Sequence, residues 1–540
     1  MTPDMHKQWF HTASVYHIYP RSFKDASGDG IGDIQGVIDS LDYFNDGTEQ
    51  SLGVDALWLS PIYVSPGKDF GYDITDHKAI DSLMGDMDTF ETLLAEAKRR
   101  NIRILLDYVP NHTSDEHPWF QESRKSRKSP KRDWYIWRDP SECGGPPNNW
   151  LSVFGGSAWT FDDSSSQYYL HHHFSFQPDL NWRNEEVQKE MLDVLRFWLD
   201  KGVSGFRTDA IYTLIEDASF TDNPPNPNYR PGKDDPYLSL LHENDLGNDE
   251  LYAAIGMMCA VLSEYDDAFM VSESYVDVPT LGRLCAACKD GRHAPLNFSL
   301  ISLPWDVQEY KKHIEAIEET LNGHEWPNYV LGNHDRRRVT DRLGRERARL
   351  LAILQMTLRG MPFIYYGEEL GMQGADIADT DRKDPLSALL PGLHMGRDKE
   401  RGPMQWSGAR HAGFTKGEPW LPVAEDYELY NVKAEEEDPY SFLSLYRHLI
   451  WYRKHSQALS SGVYTSLEVG SGDVLAYERV AQGERVCVML NFSTEDRDIA
   501  LPFEKAEVVA STHMRKEGEA VECARYRLRG YEGLVLSVHT

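Results

Sequence analysis

Four short apolar runs in this chain end in side chains that can attack carbon or move a proton: NIRILLDYVPNH (101–112), GVSGFRTDAIY (202–212), AFMVSESY (268–275) and YVLGNHD (329–335). In the second run Arg207 stands two residues before Asp209, which on a strand puts both on one face. A single Arg–Asp pair is equally well explained as a strand end that neutralises itself. Repetition changes that reading, because a barrel of alternating strands and helices collects its reacting groups at the carboxyl ends of its strands. Asp209, Glu273 and Asp335 then form a set of carboxylates on one rim. Cleaving an acetal needs one carboxylate to attack the anomeric carbon and one carboxylic acid to protonate the leaving oxygen. Arg207 beside Asp209 predicts a lowered pKa, as suits a nucleophile. Glu273, among Val271, Ser272 and Tyr275, predicts a raised one, as suits the acid. Metal binding by the three carboxylates is the competing reading, but no His-x-x-x-His or Asp-x-Asp spacing supports it.

The elements that must hold these groups follow from the pattern. Ser14–Phe23 and Gly53–Tyr63 read as the first two strands, and Met87–Asn101 as an amphipathic helix with a basic end that suits its dipole. Gly36–Asn45 and Val187–Lys201 have helical spacing, and strands recur at Phe269–Ser274, Ala294–Leu303, Asn328–Asp335 and Met361–Glu368. Residues 115–179 break the alternation with a long Trp-, Pro- and Gly-rich stretch, which in a compact chain is functional or a small inserted domain. The loops 220–248 and 371–426 are long and polar and fall on the reacting rim. After a helix at Tyr440–His455, the segments VLAYERV, RVCVMLNF, AEVVAST and GLVLSVHT alternate as strands of an all-β module.

Composition narrows the partners. The 540 residues carry 56 basic and 86 acidic side chains, a formal charge of −30, which repels nucleic acid and an anionic membrane surface and suits a neutral substrate. The run RKSRKSPKR (124–132) reads as a solvated loop. No run of 18 apolar residues predicts a membrane span, and the opening MTPDMHKQWFHTAS lacks the apolar core of a secretory signal, so a cytoplasmic protein is expected. Six cysteines are too sparse for a disulfide scaffold, and Cys285 and Cys288 are expected to be reduced. His171, His172 and His173 are adjacent, and neighbours on a strand point to opposite faces, so convergence on one ion is not expected. In DASGDGIGD, Asp25, Ser27, Asp29, the Ile31 carbonyl and Asp33 have the oxygen spacing of the first nine positions of an EF-hand loop, without its closing Glu. Either a structural Ca2+ or Mg2+ or a turn held by side chain–backbone bonds accounts for it.

The motifs DYVPNH (107–112), GFRTDAIY (205–212), VSES (271–274) and GNHD (332–335) resemble the four ordered motifs of the α-amylase superfamily, glycoside hydrolase family 13. FGYDITDH (70–77), QPDLNW (177–182) and GRDKERGPMQW (396–406) resemble its α-glucosidase and oligo-1,6-glucosidase branch, so the resemblance spans the chain. It implies a (β/α)8 TIM barrel over 1–106 and 179–457, an inserted B domain over 107–178 and a C-terminal antiparallel β-sandwich over 458–540. It also implies Asp209 as nucleophile, Glu273 as acid and then base, and Asp335 as the holder of sugar hydroxyls. Arg207 would orient Asp209, His112 and His334 would bond the glucose, and Tyr72 would stack beneath it. Asp73 and Arg401 would close the non-reducing end, making the enzyme exo-acting and retaining, with the two reacting carboxyls about 5 Å apart.

The loop at Asp25–Asp33 resembles the family's ion site, with Ser27 where Asn is common; no cofactor is implied for the chemistry itself. In this branch Val directly after the nucleophile goes with α-1,6 substrates. Here Ala210 stands there, which favours maltose and short α-1,4-linked oligosaccharides by roughly 1–3 kcal/mol. Arg336, Arg337 and Arg338 after Asp335 either bind acceptor hydroxyls and promote glucosyl transfer or pair with the acidic surface. The alternatives are an α-1,6-preferring enzyme, a transferase or isomerase making trehalose or isomaltulose, and, remotely, a non-catalytic amylase-like scaffold. A monomer or homodimer is compatible with all of them.

Overall fold

The computed structural model describes residues 8–321, 325–389, 396–501, 503–512, 518–522 and 525–538. Eight short strands carry the site: β1 (Val15–Ile18), β2 (Ala56–Leu59), β3 (Arg103–Tyr108), β4 (Gly205–Thr208), β5 (Phe269–Ser272), β6 (His293–Pro295), β7 (Asn328–Val330) and β8 (Met361–Tyr365). They pair in the order β6-β5-β4-β3-β2-β1-β8-β7, every pair parallel. At the seam between β6 and β7 a side chain replaces the ladder. Asn328 Nδ2 donates to the Pro295 carbonyl at 2.7 Å, and its Oδ1 accepts the Asn297 N–H at 2.8 Å, closing the barrel.

Alternate residues of each strand serve two cores, as the period of a strand requires. Val15, Ala56, Trp58, Leu105, Phe269, Val271, Val330 and Phe363 fill the barrel, with Phe10 plugging one end. Tyr16, Leu57, Leu59, Ile104, Leu106 and Phe206 face outward under the helices. Those helices are α1 (Met87–Arg99), α2 (Glu185–Asp200), α3 (Glu250–Leu262), α4 (Val278–Ala286), α5 (Val307–Leu321), α6 (Arg345–Thr357) and α7 (Phe442–His455). Asp86, Asn184, Asp277 and Ser441 cap the starts of α1, α2, α4 and α7 by accepting N–H groups of the first turn.

Three local departures from the sequence pattern have simple causes. The first strand stops at Ile18, because Pro20 has no N–H to give and instead opens a short helix, Pro20–Phe23. The segment read as a strand over Ala294–Leu303 ends at Pro295 and turns into the helix Ser299–Ser302. The basic run at 124–132 is not merely solvated. Arg132 is buried, donates to the Ser123 carbonyl at 3.1 Å and lies 3.5 Å over the Trp137 ring. Arg124 pairs with Asp162 at 2.8 Å.

The cysteine expectation is corrected. Cys259 on α3 and Cys288, just past α4, form a disulfide with their Cα atoms 5.8 Å apart, while Cys285 is free and buried. Scarcity of cysteines says nothing about two that adjacent helices bring together.

Between β3 and α2 the chain forms a three-stranded antiparallel sheet in the order Trp137–Arg138, Gln167–Leu170, Trp159–Asp162. It is tied to the loop at 220–248: Trp150 Nε1 donates to the Thr221 carbonyl at 2.8 Å and Asn149 Nδ2 to that of Asn223 at 2.8 Å. The C-terminal module is a six-stranded antiparallel sheet with a separate strand pair, Arg497–Ile499 and Tyr526–Leu528. One face, with Val474, Ala476, Cys487 and Met489, packs under that pair; the other, with Leu475, Tyr477, Val486 and Val488, joins the main core. Two buried arginines meet at the end of α6, Arg453 from α7 and Arg479 from the module, and the second stitches the module to the barrel. Arg453 donates to the carbonyls of Met356 and Leu358, and Arg479 to those of Thr357 and Leu459, so the open end of α6 is sealed by side chains. Among the described residues no helix is long and apolar enough to cross a membrane.

Candidate active site

A cavity of about 810 Å3 opens at the carboxyl ends of the strands, and Tyr72, His112, Asp209, Ala210, Glu273, His334 and Asp335 all line it. Its floor is built on one cation. Arg207, at the end of β4 and without solvent exposure, ion-pairs with Asp107 (2.8 Å), Asp209 (2.5 Å) and Glu273 (3.0 Å). Asp107 also accepts from Tyr72 Oη at 3.0 Å and Trp58 Nε1 at 3.3 Å, which places it under the site rather than in it. One guanidinium is shared among three carboxylates, of which Asp107 and Asp209 are buried and Glu273 is half-buried. Burial pushes Asp209 up to about 6 against the pull of Arg207, and pushes Glu273 up to about 7, with Asp209 and Asp335 adding to the rise. The lowered pKa expected for Asp209 is therefore reversed in sign, because burial outweighs its share of the arginine. The two carboxyls also lie within hydrogen-bonding reach of each other, so they titrate as a pair.

Local backbone aims these groups. Ala210 follows β4 in the left-handed region (φ 48°, ψ 34°), and its N–H donates to Glu273 Oε2 at 3.2 Å. Such a conformation is uncommon for a residue with a Cβ. The turn thus spends backbone strain at the point where the two reacting strands meet.

Asp335 behaves differently. Burial alone would raise it, but the charges of Arg397, Arg401 and Arg207, with His334 Nε2 3.2 Å from its Oδ2, outweigh burial and hold it well below the ordinary carboxylate range. Arg401 Nη2 reaches it at 2.9 Å and Arg397 Nη1 at 3.2 Å. His334 stacks on Tyr72 with centroids 5.2 Å apart, and burial holds it neutral, as it does His112 at about 3. Tyr72 therefore presents only one ring face to the cavity.

The pair expected to close the pocket is corrected in both members. The Asp73 carboxylate accepts from Ser65 Oγ and from the N–H groups of Lys68 and Asp69, at 2.9 Å each, so it ties its own loop and does not line the cavity. Arg401 is fully buried behind Asp335 and donates to the His334 carbonyl at 2.9 Å. The wall is made instead by Asp69 and Arg397, joined at 2.7 Å, with Gln177 Nε2 on Asp69 at 3.0 Å and Asp384 on Arg397 Nε at 2.8 Å.

The adjacent histidines lie just past the strand Gln167–Leu170 and turn to different partners. His171 bonds Thr160 Oγ1, His172 pairs with Asp179 at 2.5 Å, and His173 lines the cavity. Among the described residues, the one set of three His, Cys, Asp or Glu side chains with ligand atoms within 4.8 Å of each other is His112, His173 and Asp179. The turn at 25–33 offers all-oxygen chemistry suited to a hard cation, but its carboxylates do not converge to that distance. Asp25 accepts from Gly28 N (2.6 Å), Gly30 N (2.8 Å), Ser27 Oγ (3.0 Å) and Thr415 Oγ1 (2.5 Å). Asp33 accepts from Ala26, Ser27 and Gly36 N–H, and Asp29 from that of Ile31.

A parallel barrel with paired acids after β4 and β5 and a third carboxylate after β7 has the layout of a barrel enzyme that cleaves acetals. The family model "Alpha amylase, catalytic domain" matches residues 17–462. The chain is similar to the oligo-1,6-glucosidase of Parageobacillus thermoglucosidasius, at 38% identity over 99% of this chain and 100% of that one. It is similar to the probable alpha-glucosidase of Rhizobium meliloti strain 1021, at 37% identity over 94% and 93%. The solved structure of the alpha-glucosyl transfer enzyme XgtA superposes with a TM-score of 0.92, at 37% identity over 99% of this chain and 100% of that one. The chain belongs to the alpha-amylase family, and it is a glycoside hydrolase of its α-glucosidase and oligo-1,6-glucosidase branch.

Proposed function

We propose that the protein is a retaining, exo-acting α-glucosidase that removes the non-reducing glucose of maltose and short malto-oligosaccharides. The observation that carries this is Asp209 and Glu273 facing each other over Arg207, in a pocket whose far wall is the Asp69–Arg397 pair. An Asp209 oxygen attacks C1 as the bond from C1 to the glycosidic oxygen breaks, and Glu273 gives its proton to that oxygen, so the aglycone leaves as an alcohol. Glu273, now a carboxylate, takes a proton from water while the water oxygen attacks C1 and frees Asp209, returning glucose and both acids to their starting states. Both carboxyls bond the one Arg207 guanidinium, Asp209 at 2.5 Å and Glu273 at 3.0 Å, and this proximity supports the double displacement over the inverting course. A sugar hydroxyl in place of water gives transglucosylation by the same second step.

The activity needs Asp209 charged and Glu273 protonated. The kcat/KM for maltose is therefore expected to rise as pH passes through about 6, where the pair loses its first proton, chiefly from Asp209. It falls as pH passes through about 7, where Glu273 loses its own. A flat profile from pH 5 to 9 contradicts that assignment.

A second reading follows from the relative named for α-1,6 linkages. Ala210 favours α-1,4, since a methyl beside the scissile oxygen leaves space that a β-branched side chain fills. Initial glucose release from maltose and isomaltose at equal concentration decides: faster maltose supports the first reading, faster isomaltose the second. Ala210→Val is expected to move the ratio toward isomaltose by about tenfold, within the roughly 1–3 kcal/mol one pocket wall supplies.

We also retain a structural Ca2+ or Mg2+ at Asp25, Ser27, Asp29, Ile31 and Asp33 as a proposal, supported by its oxygen chemistry. Added Ca2+ is expected to raise Tm and EDTA to reverse it. An unmoved Tm assigns the turn to its own hydrogen bonds.

A further inference from the structure

The run Arg336–Arg338 divides in the fold. Arg338 is buried and donates to the carbonyls of Tyr366 (2.6 Å) and Glu400 (3.0 Å), a structural duty. Arg336 and Arg337 are exposed and line the cavity on its open side, beyond Asp335 and Glu273. In a chain of net charge −30, exposed arginines have carboxylates in plenty to pair with. The two acids that act on Arg336, however, are already paired: Asp335 with Arg397 and Arg401, and Glu273 with Arg207.

Arg336 is also held in place. Its guanidinium lies 4.8 Å over the ring of Tyr275, which stacks on Phe298 at 4.5 Å and whose hydroxyl accepts from Asn333 Nδ2 at 3.2 Å. A fork of N–H donors fixed by stacking loses little freedom when it binds a planar or tetrahedral oxyanion.

We propose that Arg336 and Arg337 form an oxyanion subsite for the leaving half of the substrate, so that the enzyme takes α-glucosides whose aglycone carries a carboxylate or phosphate. This rests on the reading of the site as an α-glucosidase. The glucose occupies the closed end between Asp69, Arg397 and the reacting acids, and the aglycone extends past Tyr275 to the two arginines.

Two substrate pairs test it. Maltobionate and maltitol differ only in whether the aglycone ends in a carboxylate or CH2OH; trehalose 6-phosphate and trehalose differ by the phosphate. The wild type is expected to favour the charged member of at least one pair in kcat/KM by about tenfold or more. A preference in the first pair alone assigns a carboxylate, in the second alone a phosphate, and in both an oxyanion of either kind. Arg336→Gln with Arg337→Gln is expected to bring the ratio to about one, and the paired Lys replacements to retain part of it. Because a ratio is read, a general loss of activity in a variant cancels. Equal rates within both pairs, or a preference that survives the double Gln variant, overturns the proposal. Failure to cleave p-nitrophenyl α-glucopyranoside would instead overturn the α-glucosidase reading beneath it.

Discussion

Asp209→Asn is expected to lower kcat for maltose on the order of 10^4-fold while leaving Tm unchanged or slightly higher. The amide is isosteric but cannot form the ester to C1, so the double displacement loses its first bond. Stability does not suffer, because Asp209 is a buried carboxylate pushed up to about 6 and competes for an arginine that Asp107 and Glu273 also need. Removing one of three anions eases the other two. Steady-state rates and thermal melts on the same preparation check both halves. A variant that keeps its rate would mean that Asp209 is not the nucleophile. A variant that loses rate and fold together would mean that the carboxylate holds the floor rather than reacting.

Arg207→Met is expected to be the most damaging single change to the fold of the site. It leaves the buried Asp107 and Asp209, and Glu273 beside them, around a missing cation, and breaking a buried ion pair from one side costs about 3–5 kcal/mol. Denaturant unfolding measures this directly. The loss is expected to be smaller at pH 5 than at pH 8, because protonated acids need no counter-charge; a loss equal at both pH values contradicts the ion-pair account. Adding Asp107→Asn to Arg207→Met is expected to recover part of the stability. Adding a surface Asp→Asn change is not.

The barrel and its reacting rim were legible in the sequence because two signals agree there: apolar runs of strand length, and charged groups at their ends. Asp209, Glu273 and Asp335 needed only that. The closing wall was not legible for a physical reason. Asp69 and Asp73 lie in one loop, and Arg397 and Arg401 in one short motif. A carboxylate that caps its own backbone looks, in sequence, the same as one that faces a substrate. Only the fold shows that Asp73 is consumed by the N–H groups at 68 and 69, leaving Asp69 to meet Arg397. Asp107 was within a quoted motif, yet its role needed the geometry of Arg207, since the sharing of one cation by three anions has no sequence signature. The sign of the Asp209 shift failed for the same reason. The Cys259–Cys288 bond depends on the packing of α3 beside α4, which composition does not encode.

The Asp69–Arg397 wall also sets how the enzyme would count its substrate. A pocket blind at one end admits a chain only by its tip, so on the proposed reading every turnover starts at a terminus and none in the middle. For a polymer the effective concentration is then the number of tips, not the mass dissolved. A bushy glucan and a linear one of equal weight would be digested at very different speeds, and each cut leaves the tip count of a chain unchanged until the chain is gone. Progress curves on long linear substrates would stay nearly straight for most of their course, and they would bend only when whole molecules begin to disappear.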